Sequence, residues 1–397
     1  MPIKTILNSS VFFLLVAVIF ACKKNNNEPE DIPEDLITDV AVSEELSFGN
    51  NCNSYLRSYK GAILNSFSIT SDGGYMFCGK GFSSEGKTHT YVLKTDCFGE
   101  KEWENRFKSE YNSEATFVSQ IGTNDYIFYS REYLAENSTE YTCHLTRSNK
   151  SGEIIWKRKH DDKTTIEFRN ICDLGDQSGI VALTTDRHPS YNAEAILKTD
   201  FSGAEIFRRR LMGEGRYHYL AETSDGSFLA SGELSNNPIV MKLNSQGDSI
   251  WTKTLVVDGE SAAFYINELS NGDIVLAGIS KNTQFNVDRT VFISRLTSSG
   301  IPLWNFQYSA EEFLNFDDAA ISTDGNLLTS VTKADTSAVL TKLLKINLSD
   351  GAIIWERNSG TLLGNSLLGT ADNSMIYIGS DNIKRETLIR KTDVEGF

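Results

Sequence analysis

The chain has no Cys-x-x-Cys pair and no Cys and His at metal-ligand spacing, which removes the common structural zinc sites from consideration. It has no Gly-x-Ser-x-Gly elbow and no His-Glu-x-x-His, so neither a serine-hydrolase triad nor a zinc protease is signalled. Basic runs are short, such as Lys23-Lys24 and Arg208-Arg209-Arg210, against a formal charge of -15. Nucleic acid, which is held by releasing counterions from a basic surface, is therefore not an expected partner. An acidic surface also keeps a protein soluble and away from anionic lipid. Proline is scarce, at six residues, and almost nowhere do apolar residues recur at helical spacing. The scaffold has to come from strands.

What the chain does have is one word, written seven times. A small polar turn is followed by an apolar run, a second run ending in a basic residue, then Gly and an aromatic. The Gly falls at Gly99, Gly152, Gly203, Gly247, Gly300, Gly351 and Gly396. Ahead of it stands Lys94, Arg147, Lys198, Lys242, Arg295, Lys345 or Lys391, each followed two positions on by Asp, Asn or, once, Thr297. Four residues after the Gly comes Trp103, Trp156, Phe207, Trp251, Trp304 or Trp355, which uses every Trp in the protein. A turn Gly and a large ring at the same place in every copy read as packing between neighbouring sheets rather than as a cofactor box.

The apolar runs are short, alternate with polar residues and are rich in Tyr, Phe, Ile and Val, as in Tyr75-Met76-Phe77-Cys78 and Tyr91-Val92-Leu93. They are predicted strands, separated by turns such as Asp72-Gly73, Asp225-Gly226, Asn271-Gly272 and Asp324-Gly325. Repeats of this length with four strands predict an all-β fold, a seven-bladed β-propeller over residues 51–397. The seventh copy stops at Gly396-Phe397, short of its outer strand and aromatic. Tyr55-Leu56-Arg57-Ser58-Tyr59 has the aromatic spacing of Trp103 to Phe107, so the N-terminal segment is expected to complete the last blade. Such closure removes the open sheet edges of the ring, and a monomer is expected.

Residues 1–21 read as a signal peptide, with Lys4 in the n-region and Val11 to Phe20 as an apolar core too short to span a bilayer. Residues 22–50 are polar and read as a flexible tether, with a reach of about 25 to 30 Å. With Cys22 set aside as an anchor, Cys52, Cys78, Cys97, Cys143 and Cys172 remain. An oxidising compartment would allow up to two disulfides among them, and buried free thiols in strands are the default expectation.

Ile19-Phe20-Ala21-Cys22 resembles a bacterial lipobox, which implies that Cys22 is acylated and that the chain is an outer-membrane lipoprotein, on the periplasmic side or at the cell surface. The Lys-rich then acidic start of the tether resembles surface-export signals of Bacteroidota lipoproteins. Asn347-Leu348-Ser349-Asp350-Gly351-Ala352-Ile353-Ile354-Trp355 resembles the tryptophan-docking motif of PQQ-type propellers, but the chain has seven copies and no vicinal cysteines, and no cofactor is implied. The Asp-Gly-Gly-Tyr and Lys-Thr-Asp-x-x-Gly words over residues 55–397 resemble Bacteroidota β-propeller lipoproteins of the PQQ-like and WD40-like superfamily. Sialidase Asp-boxes do not fit, because they place Asp two before Gly and the aromatic three after.

The positions expected to carry selectivity are those that differ between copies. Assigned to loops entering the innermost strands at the channel mouth, they are Arg169, Arg216, His218, Tyr265, Asp317 and Asp318. The expected role is a lipid-anchored binding or scaffold module for an envelope protein or glycan, with no catalytic and no metal-binding residue assigned. The alternative is a carbohydrate-active lyase or hydrolase with its site in the channel loops, whose mark would be two convergent carboxylates about 5 to 9 Å apart.

Overall fold

The computed structural model describes residues 54–397, apart from 137, 160–164, 175–177, 189–190, 212–214, 258, 282–288, 309–313, 335–338, 361–362 and 382–383. The leader, Cys22 and the tether lie outside these residues. The described chain forms seven four-stranded antiparallel sheets, each built from consecutive strands except one. In that last sheet Tyr55–Lys60 pairs with Glu386–Lys391, which continues to Met375–Asp381 and Leu363–Gly369. The register runs from Tyr55 opposite Lys391 to Lys60 opposite Glu386. The N-terminal segment therefore supplies the outer strand of blade 7. The innermost strands of successive blades touch, and that of blade 7 touches Ala62–Ile69 of blade 1, so the ring closes.

The repeated residues build two locks. The first lies within a blade. The basic residue on the third strand reaches the acid of the turn between the first two strands: Lys94 to Asp72, Arg147 to Asp125, Lys242 to Asp225, Arg295 to Asp273, Lys345 to Asp324 and Lys391 to Asp372, at 2.5 to 3.4 Å. Partial burial works against ionisation of Asp72, but hydrogen bonds from Thr70 and Lys94 hold its carboxyl at about 2. The turn carboxylate thus stays charged across the physiological range. The Asp or Asn that follows the basic residue caps the next turn; Asp96, for example, accepts from the backbone N–H of Phe98 and Glu100 at 2.9 Å.

The second lock lies between blades. Each repeat Gly has a φ of +75° to +85°, a conformation that disfavours side chains, and its Cα faces the aromatic of the preceding blade. A Cβ built on Gly152 would stand 2.7 Å from the Trp103 ring, and one on Gly300 would stand 3.0 Å from Trp251. At the seam the partner of Gly99 is Tyr55, 2.8 Å from the same hypothetical atom. Tyr55 is thus the seventh member of the aromatic set, as its spacing from Tyr59 predicts. The sheets between these locks are apolar; Phe77, Leu93, Ile127, Leu276, Phe292 and Ile378 are fully buried.

Cys78 and Cys143 are buried thiols outside any disulfide, and Cys172 is a half-buried one. Cys97 departs from the default of free thiols: it is disulfide-bonded. The reason is its place, in the turn between Thr88–Thr95 and Lys101–Phe107 rather than inside a strand. Its partner lies outside the described residues.

Candidate functional site

Antiparallel blades sort their connections onto two faces. Turns joining first to second and third to fourth strands all fall on one face, where the two locks make them alike. The other face carries the second-to-third hairpins and the crossings to the next blade, and these vary, from Ser235-Asn236 in blade 4 to residues 83–87 in blade 1 and 134–140 in blade 2. Much of the variation between blades falls on this loop face and in the channel that opens on it.

Every innermost strand carries a β-bulge that leaves one residue unpaired with its neighbour strand. These residues are Asn65, Thr116, Arg169, His218, Phe264, Asp317 and Asn365. A bulge at the same register in all seven blades puts seven residues at one level around the channel, nearer the loop face than the turn face. Only at the seam, where Asn365 of blade 7 neighbours Asn65 of blade 1, do two neighbours among the seven share a side-chain type, whereas the lock residues barely vary.

The six sequence-predicted residues fall into this arrangement, but in strands rather than in loops. Arg169, His218 and Asp317 are bulge residues of blades 3, 4 and 6. Tyr265 and Asp318 are the residues immediately after bulges, and Arg216 opens the innermost strand of blade 4. Loop assignment failed because the bulge interrupts the period-2 alternation that marks a strand. Asn65, Thr116, Phe264 and Asn365 were missed. A signal for two of them existed, since Asn65 and Asn365 stand at the same interval before Asp72 and Asp372 as His218 before Asp225 and Asp317 before Asp324, whereas Thr116 and Phe264 stand two residues further from Asp125 and Asp273.

Arg216 is exposed, with its guanidinium 3.7 Å from Glu233 on the adjacent strand. The His218 ring stacks on Phe264 of blade 5, centroids 4.7 Å apart and planes at 29°. Tyr265, by contrast, is a core residue, 1% exposed, tilted against Tyr219 with centroids 5.2 Å apart. Burial pushes both tyrosine hydroxyls up. On the other side of the ring a polar cavity of about 140 Å³ is lined by Asn65, Ser66, Thr116, Asn170 and Ser366, with Phe117 beside them. The channel therefore has an aromatic side, from blades 4 and 5, and an amide and hydroxyl side, from blades 7, 1, 2 and 3.

Asp318 is a structural clamp. One carboxylate oxygen accepts from the Leu367 N–H at 2.9 Å and from Ser366 Oγ at 3.1 Å, both in blade 7, and the other accepts from the Ala319 N–H at 2.8 Å. Asn170 makes the same bridge from blade 3 to the Leu220 N–H of blade 4 at 3.0 Å. Asp317 accepts from Thr332 Oγ1 at 2.6 Å within its own blade. Desolvation by the surrounding strands, helped by the charge of Asp318, pushes the Asp317 carboxyl up to about 8 against that hydrogen bond. Desolvation likewise moves Asp318 up to about 6, opposed by its three donors. Both side chains still touch channel solvent, being half-buried. Among the described residues no three of His, Cys, Asp and Glu gather as a metal site would need.

A larger hollow of about 590 Å³ opens on the turn face at the seam, beside Ser54, Asp372, Ser374, Asp393 and Phe397. Its carboxylates are already engaged: Asp372 caps the Ser374 turn and Asp393 accepts from the N–H groups of Glu395 and Phe397.

No family model matches the chain, and no curated protein does. Solved structures do. The WD40 β-propeller domain of Doa1 is similar over 85% of this chain and 95% of its own, with a TM-score of 0.57 at 7% identity. A YCF48 structure bound to D1 peptide is similar over 87% and 99%, with a TM-score of 0.55 at 14% identity. The β-propeller domain of Cps50 (Swd1) from Myceliophteria thermophila is similar over 85% and 98%, with a TM-score of 0.54 at 9% identity. At these identities the likeness is one of fold. The chain is a seven-bladed β-propeller with WD40-like structural neighbours.

Proposed function

We propose that this protein is a lipid-anchored binding module of the cell envelope, held at the outer membrane through Cys22, that recognises a protein or glycan with its loop face and channel mouth. One observation carries the reading. The residues that repeat are engaged by the two locks, and chemical individuality is left to the bulge ring and the loop face, where Arg169, His218, Phe264 and Asp317 occupy the bulge position of four successive blades. A surface of different groups in fixed places is what selective recognition needs. The two adjacent carboxylates do not favour hydrolysis or elimination, because Asp318 is saturated by blade 7 donors and is not free to exchange protons with a substrate. The peptide in the YCF48 structure shows that a propeller of similar fold takes a polypeptide ligand.

Two measurements test this. Cys22→Ala should move the protein from the membrane to the soluble fraction, since acyl chains alone hold it; full retention on membranes would remove the anchor. Purified protein probed against arrays of envelope glycans and envelope-protein peptides should give hits that weaken about 5- to 100-fold in an Arg169→Ala, His218→Ala double variant, equivalent to about 1 to 3 kcal/mol. Hits insensitive to that variant but lost on altering turn-face side chains would place recognition on the opposite side of the disc.

A further inference from the structure

The polar cavity of about 140 Å³ in the channel has no charged side chain on its walls. Each of its two amides is half spent on holding blades together. Asn65 Nδ2 donates to the Ala115 carbonyl of blade 2 at 2.8 Å, which leaves Oδ1 as an acceptor. Asn170 Oδ1 accepts from the Leu220 N–H of blade 4 at 3.0 Å, which leaves Nδ2 as a donor. The Ser66 and Thr116 hydroxyls have no hydrogen-bond partner among the described residues, and the half-buried Phe117 ring supplies an apolar wall. Ser366 Oγ donates to the Asp318 carboxylate at 3.1 Å, which sets a carboxyl directly behind that part of the lining.

A ligand that satisfies these walls must donate and accept hydrogen bonds, carry no charge and offer an apolar face. A charged group would lose its hydration here without meeting an opposite charge, and an anion would also stand against Asp318. The volume is close to the roughly 150 Å³ that holds a benzene molecule, so there is room for one six-membered ring. We infer that the cavity is a subsite for a single neutral pyranose, the end residue of a glycan entering the channel from the loop face. Hydroxyls around such a ring both donate and accept, and its C–H face packs against Phe117 by dispersion. Amino-acid rings of similar size carry a lone hydroxyl or a pair of nitrogens, so a peptide would leave amides and hydroxyls of the wall unpaired at a cost. The subsite presupposes recognition through the channel mouth, as proposed above, and narrows the ligand from protein or glycan to glycan.

The test uses full-length protein in a detergent without a sugar headgroup. Saturation-transfer NMR is run with the methyl glycosides of glucose, galactose, mannose and N-acetylglucosamine, beside glucuronic acid. At least one neutral glycoside should show transfer, and glucuronic acid should show none. Thr116→Val keeps the shape of the side chain and loses its hydroxyl, and Ser66→Ala removes a second hydroxyl from the same wall. Each should weaken the bound glycoside about 3- to 10-fold while the Tm stays at the wild-type value. No transfer to any neutral glycoside, equal transfer to glucuronic acid, or affinities unchanged in both variants would overturn the subsite. Peptide hits on the arrays without glycoside transfer would remove the subsite and leave the binding module in place. Glycoside binding that both variants weaken, combined with array hits lost only on altering the turn face, would keep the subsite and overturn recognition of the partner at the channel mouth.

Discussion

Deleting residues 23–48 should leave thermal unfolding almost unchanged, whereas deleting 23–60 should open the ring. The longer deletion removes Tyr59, which is fully buried among Phe67, Phe77 and Tyr91, and Tyr55, which is 6% exposed against Gly99. Losing a buried aromatic side chain costs about 3 to 5 kcal/mol, so the pair accounts for about 6 to 10 kcal/mol. That is comparable with the whole stability of an ordinary domain, about 5 to 15 kcal/mol. It does not yet include the six residue pairs to Glu386–Lys391 or the Arg57–Glu100 ion pair. The strand left behind would present an unpaired edge to other molecules, so aggregation is expected as well as instability. Differential scanning fluorimetry and size-exclusion chromatography of the two truncations decide the matter. Equal melting temperatures and equal monomer recovery for the two truncations would refute closure by the N-terminal strand as the source of stability.

Gly152→Ala should destabilise by about 2 to 4 kcal/mol, because it combines a backbone at φ +78° with a Cβ driven into the Trp103 ring; chemical denaturation reads the loss, and a wild-type midpoint would show that the groove yields at no cost. Asp317 makes stability depend on pH, with a sign that follows from its raised carboxyl. Its folded value near 8 exceeds the unfolded value near 4, so its contribution is complete below about pH 4 and is lost as pH rises through about 8. Asp318 acts in the same direction over a lower window, up to about 6. After allowance for channel water, wild type should lose about 1 to 3 kcal/mol relative to Asp317→Asn between pH 5 and pH 9. Parallel stability curves for the two proteins would show that Asp317 ionises freely in the channel.

The ring was legible in the sequence because its construction is repetitive. Seven turns need seven glycines at positive φ, seven grooves need seven large rings, and a blade that stops short at Gly396 needs an outer strand from elsewhere, for which Tyr55 and Tyr59 had the right spacing. Local chemistry repeated at a fixed interval is information that one chain contains without an alignment. The candidate site was only partly legible. Arg169, His218 and Asp317 were singled out as blade-specific residues, but nothing in their neighbours shows that a bulge sets them at one level, since a bulge is a property of two strands in register. Asp318 and Asp317 are adjacent in sequence and alike in chemistry, yet one is saturated by donors from Ser366 and Leu367, which arrive from the next blade, and the other is not. Tyr265 likewise reads as a surface aromatic until the Tyr219 strand closes over it. Composition and spacing determined which elements form and how many; the burial and partners of each polar group were decided by contacts between blades, which exist only once the ring has closed.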